Sequence, residues 1–200
     1  MQRAIAELLT FSHRAAASGL LSSTCGNASL RLGEDRLVIT ASGASLGLLT
    51  ADDVAIVSLA DGRHLDGPRP SMETGFHRRV YLARPAARAV LHAQARAATA
   101  LACWAEPPAN LDLIPEVPAY VRRHAYAPWA MPGSDALADP EVTVVQLVNH
   151  GQVILGAHWE EVLRRGHFFE LACHIALSGR PLRTIPPEDA LALRAMTRGV

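Results

Sequence analysis

The stretch Pro70–Gln94 reads PSMETGFHRRVYLARPAARAVLHAQ. From Ser71 to Arg84 the apolar residues Phe76, Val80 and Tyr81 recur at helical spacing, with Arg78, Arg79 and Arg84 outside, so the segment is an amphipathic helix. Ala87–His92 follows as a buried strand. Strand alternation puts His92 and Gln94 on the same side, where both heads can converge on one point. Glu73 lies in the first turn of the preceding helix, where the helix N-terminus favours a carboxylate.

Outward from this unit the chain continues to mix helices with short strands. Ile5, Leu8, Leu9 and Ala16 mark an N-terminal helix stopped by Gly19. Strands are expected over Ala28–Leu32 and Arg36–Thr40, joined by a turn at Gly33-Glu34-Asp35. Leu49–Asp53 supplies cap residues for one helical turn, and Val54–Leu59 is another strand. Asp61-Gly62 reads as a turn, and the Pro-bearing Gly67–Pro70 leads back to Ser71. A helix over Ala95–Trp104 precedes an irregular, Pro-rich region from 105 to 140, with strands expected at Ile114–Val121 and Ala125–Pro128. Val142–Val148 and Gln152–Leu155 are strands around Asn149-His150-Gly151. A long helix runs from His158 to Leu177, and a short one begins near Pro187. Hairpin strands mixed with flanking helices indicate an α/β domain with a mainly antiparallel sheet.

Bulk composition narrows the chemistry. The chain has 200 residues, half of them hydrophobic, and its 19 basic residues balance 19 acidic ones. All the cations other than histidine are arginines, since the sequence contains no lysine. That excludes a lysine Schiff base and a P-loop of the GxxxxGK[ST] type. Zero net charge argues against a nucleic-acid partner. No apolar run is long enough for a spanning helix, so no membrane role is expected. Cys25, Cys103 and Cys173 are odd in number and widely spaced, as reduced cytoplasmic thiols are.

Several residues then stand out as chemical candidates. His92 ends a buried strand, His150 occupies a turn at a sheet rim, and Glu73 and Gln94 add a carboxylate and an amide. Such side chains suit a divalent metal, although strand-end histidines with ordinary hydrogen bonds fit the spacing as well. Ser23–Asn27, Thr40–Gly43 and Ser71 supply hydroxyls and backbone N–H groups that can cradle a phosphate without lysine, or merely form turns. His167, Glu170 and His174 share one face of the last long helix, where a solvated or subunit-facing stripe is the expectation. His13, His64, His124 and His158 have no partner pattern and read as surface residues. Arg122-Arg123 reads as charged surface or as a reach toward an anion across a subunit boundary.

The order of these pieces resembles the class II aldolase/adducin-like family over about residues 5–178. The resemblance rests on Ser23–Arg31, Ile39–Gly43, Pro70–His77, Arg84-Pro85 leading into Ala89–His92, Ala127–Ser134 and Asn149-His150-Gly151. It implies a single domain, 1–200, with a three-layer α/β/α fold around a mainly antiparallel sheet. It implies metal-dependent cleavage of a small ketose 1-phosphate of the L-fuculose type to dihydroxyacetone phosphate and an aldehyde, or on the same scaffold a sugar-acid phosphate decarboxylase or 4-epimerase. A family member that has lost its metal and does no catalysis is the remaining alternative. By this similarity Glu73 is the acid/base, and His92 and His150 are zinc ligands. Thr24, Gly26, Asn27, Ser42, Gly43 and Ser71 fall at the phosphate. The family commonly has His-x-His where this chain has His92-Ala93-Gln94, so Gln94 takes the third ligand position as a weaker oxygen donor. Met72 stands where many aldolases have a second phosphate-binding serine. Tyr120 and Tyr126 are candidate acids from a neighbouring subunit, since a homotetramer with shared sites is implied.

Overall fold

The structure, a computed structural model, describes residues 1–21, 23–128 and 137–197. Gly33-Glu34-Asp35 reverses the chain between β1 (Asn27–Leu32) and β2 (Arg36–Thr40), which pair antiparallel with Leu32 opposite Arg36. β3 (Val54–Ser58) pairs with β2, entered from a 3₁₀ turn at Ala51–Asp53. That turn is held by a capping box in which Asp53 Oδ2 accepts from Thr50 N and Thr50 Oγ1. β4 (His64–Asp66) then adds to β3 through a bulge. The sequence gives no strand signal here, because the three residues are all exposed and show no apolar alternation.

On the other side of β1 comes β5 (Ala89–Ala93), fed by α2 (Thr74–Ala83). α3 (Arg96–Ala102) follows it, and β6 (Arg123–Ala127), β7 (Val142–Leu147) and β8 (Gly151–Gly156) complete the sheet. The eight strands run in the order β4-β3-β2-β1-β5-β8-β7-β6. The β6–β7 pair is parallel and the other pairs are antiparallel.

Helices cover both faces. α1 (Gln2–Ala17), α3 and α4 (Trp159–Ala176) bring Leu8, Phe11, Leu101, Val162 and Phe169 onto Leu30, Val38, Leu91 and Ile154. α2 brings Phe76, Val80 and Tyr81 onto Leu37, Ile39, Val57 and Val90 on the opposite face. Complete burial of such a side chain contributes about 1.5–3 kcal/mol, so the two apolar layers drive the fold. The three-layer α/β/α arrangement with a mainly antiparallel sheet is as the sequence implies. No helix among the described residues is long and apolar enough to cross a membrane.

The irregular region departs from expectation. Ile114–Val121 is not a strand: Val117–Val121 forms a π-helical turn closed by Arg122 N donating to Val117 O. Pro118 has no N–H for a ladder, and Arg122 takes a positive φ of 66° to leave the turn. The strand expected at Ala125–Pro128 is β6, beginning two residues earlier. Residues 129–134 of the Ala127–Ser134 motif lie outside the described residues. α5 (Pro187–Met196) closes the chain against this turn, with Arg194 bonded to Asp112 Oδ2 at 2.7 Å and to the Arg122 carbonyl at 3.0 Å.

Candidate metal centre

Asn27 lies directly opposite His92 in the β1–β5 register, and both point to the face that α2 covers. His92 ends its strand with only 2% of its surface exposed. Its Nδ1 lies 3.1 Å from the Gln152 carbonyl on β8. A carbonyl can only accept, so Nδ1 carries the proton and the Nε2 lone pair is left for the site. His150 reaches the same place through the β7–β8 turn. Asn149 adopts φ 58°, a conformation asparagine tolerates, and His150 N donates to Leu147 O. Gly151 permits the approach of β8 to β5, since a Cβ there would sit 2.4 Å from the Ala93 carbonyl and 3.2 Å from His92 Cε1.

Glu73 is the N-cap residue of α2, and its backbone N–H donates to Ser71 Oγ at 3.2 Å. Its carboxylate sits between the two imidazoles: Oε2 is 3.6 Å from His92 Nε2, and Oε1 is 3.6 Å from His150 Nε2. The rings lie 4.6 Å apart between centroids. One donor atom from each of these residues falls within 4.8 Å of the others. Donors at zinc–ligand distances from a common ion would be about 3.3 Å apart, so a small contraction suffices. Two imidazoles and one carboxylate are a fitting donor set for a divalent transition metal. Burial pushes the His92 imidazole below its ordinary value, Glu73 opposing and His150 adding to the effect. A neutral imidazole is the ligating form. His150 Nδ1 is buried with no hydrogen-bond partner among the described residues, so it lacks the outer support that His92 has.

The other expected residues gather at the same end of the sheet. Gly26, at φ 108°, packs its Cα against the His92 carbonyl, which a Cβ would meet at 2.8 Å, and so ties the Ser23–Asn27 loop to β5. Ala41 bridges to Pro70, while Ser42 N donates to Arg69 O and Ser71 N to Thr40 O, joining the Thr40–Gly43 loop to Ser71. Thr24, Ser42 and Gly43 are exposed at this rim, and Ser71 is buried. Asn27 Nδ2 donates to Glu73 Oε2 at 2.6 Å, so one of its amide hydrogens is already engaged. Gln94 lies one residue beyond β5, half-buried, and a Cβ on Gly151 would fall 2.9 Å from its Cγ.

Tyr120 and Tyr126 do not reach this cluster within one chain. Tyr126 pairs with Gln146, which shares the sheet face of Val144 and Ile154, the side opposite α2. Its hydroxyl contacts the Pro108 carbonyl at 3.4 Å, and burial raises its pKa to about 12. Tyr120 stacks on Phe168 of α4 at 5.6 Å. His167 and His174 are exposed, whereas Glu170 turns inward and caps α3 by accepting from Ala97 N and Ala98 N. His124 is not a surface residue as the sequence suggests. Its ring lies 5.4 Å from Phe169 and 5.5 Å from Tyr126, and burial lowers its pKa. A cavity of about 540 Å³ lies beside β6 and α5, but Arg122, Arg123 and Arg194 in its wall are already paired with Glu141, Asp139 and Asp112.

Sequence reasoning passed over His77, Ser29 and Tyr81, which bond to one another behind Asn27. The signal was present: Ser29 is two residues from Asn27 on one strand face, and His77 and Tyr81 are four apart on α2.

Comparison with known proteins agrees with this architecture. The crystal structure of YgbL from Klebsiella pneumoniae superposes with a TM-score of 0.86 at 30% identity, over 96% of this chain and 98% of that one. The chain is 29% identical over 188 residues to a 3-oxo-tetronate 4-phosphate decarboxylase of Escherichia coli O6:H1, covering 88% of each protein. It is 46% identical over 83 residues to a methylthioribulose-1-phosphate dehydratase of Methylococcus capsulatus, covering 42% of this chain and 40% of that protein. The model of the class II aldolase and adducin N-terminal domain matches residues 6–177. Its span runs from within α1 to the end of α4 and includes every residue of the Glu73–His92–His150 cluster, and the chain therefore belongs to the class II aldolase and adducin N-terminal domain family.

Proposed function

We propose that this chain is a metal-dependent lyase that decarboxylates a small, phosphorylated 3-oxo sugar acid. The observation that carries the reading is the placement of Glu73 between His92 and His150 at the rim where the three small-residue loops meet. His92, His150 and Glu73 would hold a divalent cation, with Gln94 Oε1 as a further donor, and zinc suits this set. The cation supplies Lewis-acid stabilisation of negative charge on a carbonyl oxygen.

The remaining work falls to the chain itself. When CO₂ leaves a 3-oxo acid, the bonding electrons move to the 3-oxo carbonyl, and no base is required. One proton must then reach the carbon left behind, and Glu73 is placed to relay it from water. One acid/base group is therefore enough, in keeping with a site that neither tyrosine approaches from the same chain. The phosphate falls to Thr24, Gly26, Asn27, Ser42, Gly43 and Ser71. With no lysine in the sequence, hydroxyls and N–H groups hold it. Ser42 acts through its hydroxyl, its backbone N–H being spent on Arg69. Met72 is exposed beside Glu73 and offers no hydroxyl, which thins that side of the cradle. Similarity to the decarboxylase along 88% of the chain supports the same substrate class.

Aldol cleavage of a ketose 1-phosphate is the second reading. It needs a further acid on the product side, and the edge position of β6 favours Tyr126, or Tyr120 nearby, acting in the site of a neighbouring subunit of a cytoplasmic homotetramer. The two readings part on product. Incubation of the metal-loaded protein with 3-oxo-tetronate 4-phosphate is expected to release CO₂ with Zn²⁺, Mn²⁺ or Co²⁺. Aldehyde from L-fuculose 1-phosphate without CO₂ from the acid decides for the aldolase. Neither product with any of the three ions removes both.

A further inference from the structure

Behind the carboxylate of Glu73 runs an unbroken line of buried polar groups. Asn27 Nδ2 lies 2.6 Å from Glu73 Oε2, and Asn27 Oδ1 lies 2.5 Å from His77 Nε2. His77 Nδ1 is 2.7 Å from Ser29 Oγ, which is 2.8 Å from the Tyr81 hydroxyl. Tyr81 also contacts the Ser29 carbonyl at 2.9 Å. His77, Ser29 and Tyr81 have no exposed surface at all.

The direction of each bond follows from what each group can do. An ionised carboxylate only accepts, so Asn27 must turn its amide nitrogen to Glu73, giving it one hydrogen, and its carbonyl inward. That carbonyl needs a donor, which makes His77 the Nε2–H tautomer. Nδ1 is then an acceptor and takes the Ser29 hydroxyl proton. The single Tyr81 hydroxyl proton lies between the Ser29 carbonyl and the Ser29 hydroxyl. Burial lowers the His77 pKa to about 3, consistent with the neutral imidazole that the bonding requires.

We propose that His77 is a positioning residue that locks the Asn27 amide and thereby makes the two oxygens of Glu73 unequal. Oε2 carries the Asn27 bond and faces His92, while Oε1 faces His150. A flipped amide would set Asn27 Oδ1 against the carboxylate. The imidazole opposes that flip together with the carboxylate, because His77 is the amide's second hydrogen-bond contact among the described residues. The His77 imidazole bonds to Asn27 and Ser29 and reaches the Glu73 carboxylate through Asn27.

The inference rests on the proposed function only for its Co²⁺ and turnover arms. His77→Gln keeps one donor and one acceptor, whereas His77→Leu removes both. Crystal structures of the two variants are expected to show the Asn27–Glu73 bond kept in His77→Gln and lost in His77→Leu. In the Co²⁺-loaded protein, the visible absorption band is expected to move in His77→Leu and to stay in place in His77→Gln. In turnover, kcat of His77→Leu is expected to fall by about 10–100-fold with KM nearly unchanged, and His77→Gln to recover most of it. Should His77→Leu not fold, Ser29→Ala, which leaves Nδ1 unpartnered, is expected to give the same loss of the Asn27–Glu73 bond. An unmoved Asn27 and an unchanged Co²⁺ band in the folded variant overturn the role of His77. A wild-type protein that takes up no Co²⁺ overturns the proposed function instead, and the position of Asn27 still decides the inference.

Discussion

Glu73 is reached by Asn27 through one oxygen and flanked by a histidine on each side, a setting in which charge and geometry both matter. Glu73→Gln keeps the shape but removes the proton that the reaction must supply. Its kcat is expected to drop by about 100-fold or more in a CO₂-release assay, the span typical of a lost general acid. Gln94 bears on binding, not on proton transfer. Gln94→His replaces an amide oxygen with an imidazole beside Gly151, and zinc affinity is expected to rise about 10-fold or more in competition with a chromophoric chelator. Unchanged affinity would place the remaining donor elsewhere.

Between elements, the decisive contact is the β5–β8 ladder, in which His92 pairs with Val153 and Ala93 with Gln152. Gly151→Ala forces a methyl against the Ala93 carbonyl. A loss of about 1–3 kcal/mol is expected in urea unfolding, with metal affinity falling in parallel because His150 is displaced from His92. The α3–α4 contact has a similar dependence on one residue: Glu170→Ala strips two N–H groups of their partner at the start of α3 and is expected to cost about 1–2 kcal/mol in the same measurement. These elements differ in how visible they are before folding. Alternation and amphipathic spacing expose β1, β2, β3, β5, β7, β8 and all the long helices, because each buries a regular set of apolar residues. β4 buries nothing, and the turn at Val117–Val121 is π-helical where its apolar residues resemble a strand. The pairing of His92 with His150 has no local signature, since it depends on which strand lies beside β5. Motif order supplied it, and the same order includes His77 without giving it a role, because its side-chain partners Asn27 and Ser29 come from β1 and not from its own helix.

At the level of the whole molecule, the fold buries neutral histidines on both faces of the sheet. His77 lies on the inner face of α2 and His92 on the strand beneath it, and His124 lies against Phe169, each with its pKa lowered by burial. A base with a depressed folded pKa binds fewer protons than it does unfolded, so stability is complete above about pH 6.5 and declines as pH falls below it. For His77 alone, with a folded pKa of about 3, the loss reaches about 2 kcal/mol at pH 5. Urea midpoints measured from pH 7 to pH 5 are expected to fall steeply in the wild type and less steeply in His77→Gln. An equal slope in both would mean that His77 is not the group responsible. The sheet order carries a consequence of another kind. The three donors arrive on α2, β5 and the turn into β8, and His92 meets His150 only when β8 zips onto β5. During synthesis the ribosome must release residues beyond Gly156 before that pairing can close, so a half-made chain presents isolated imidazoles with no chelate effect. A divalent cation would meet its full set of donors only on the finished sheet.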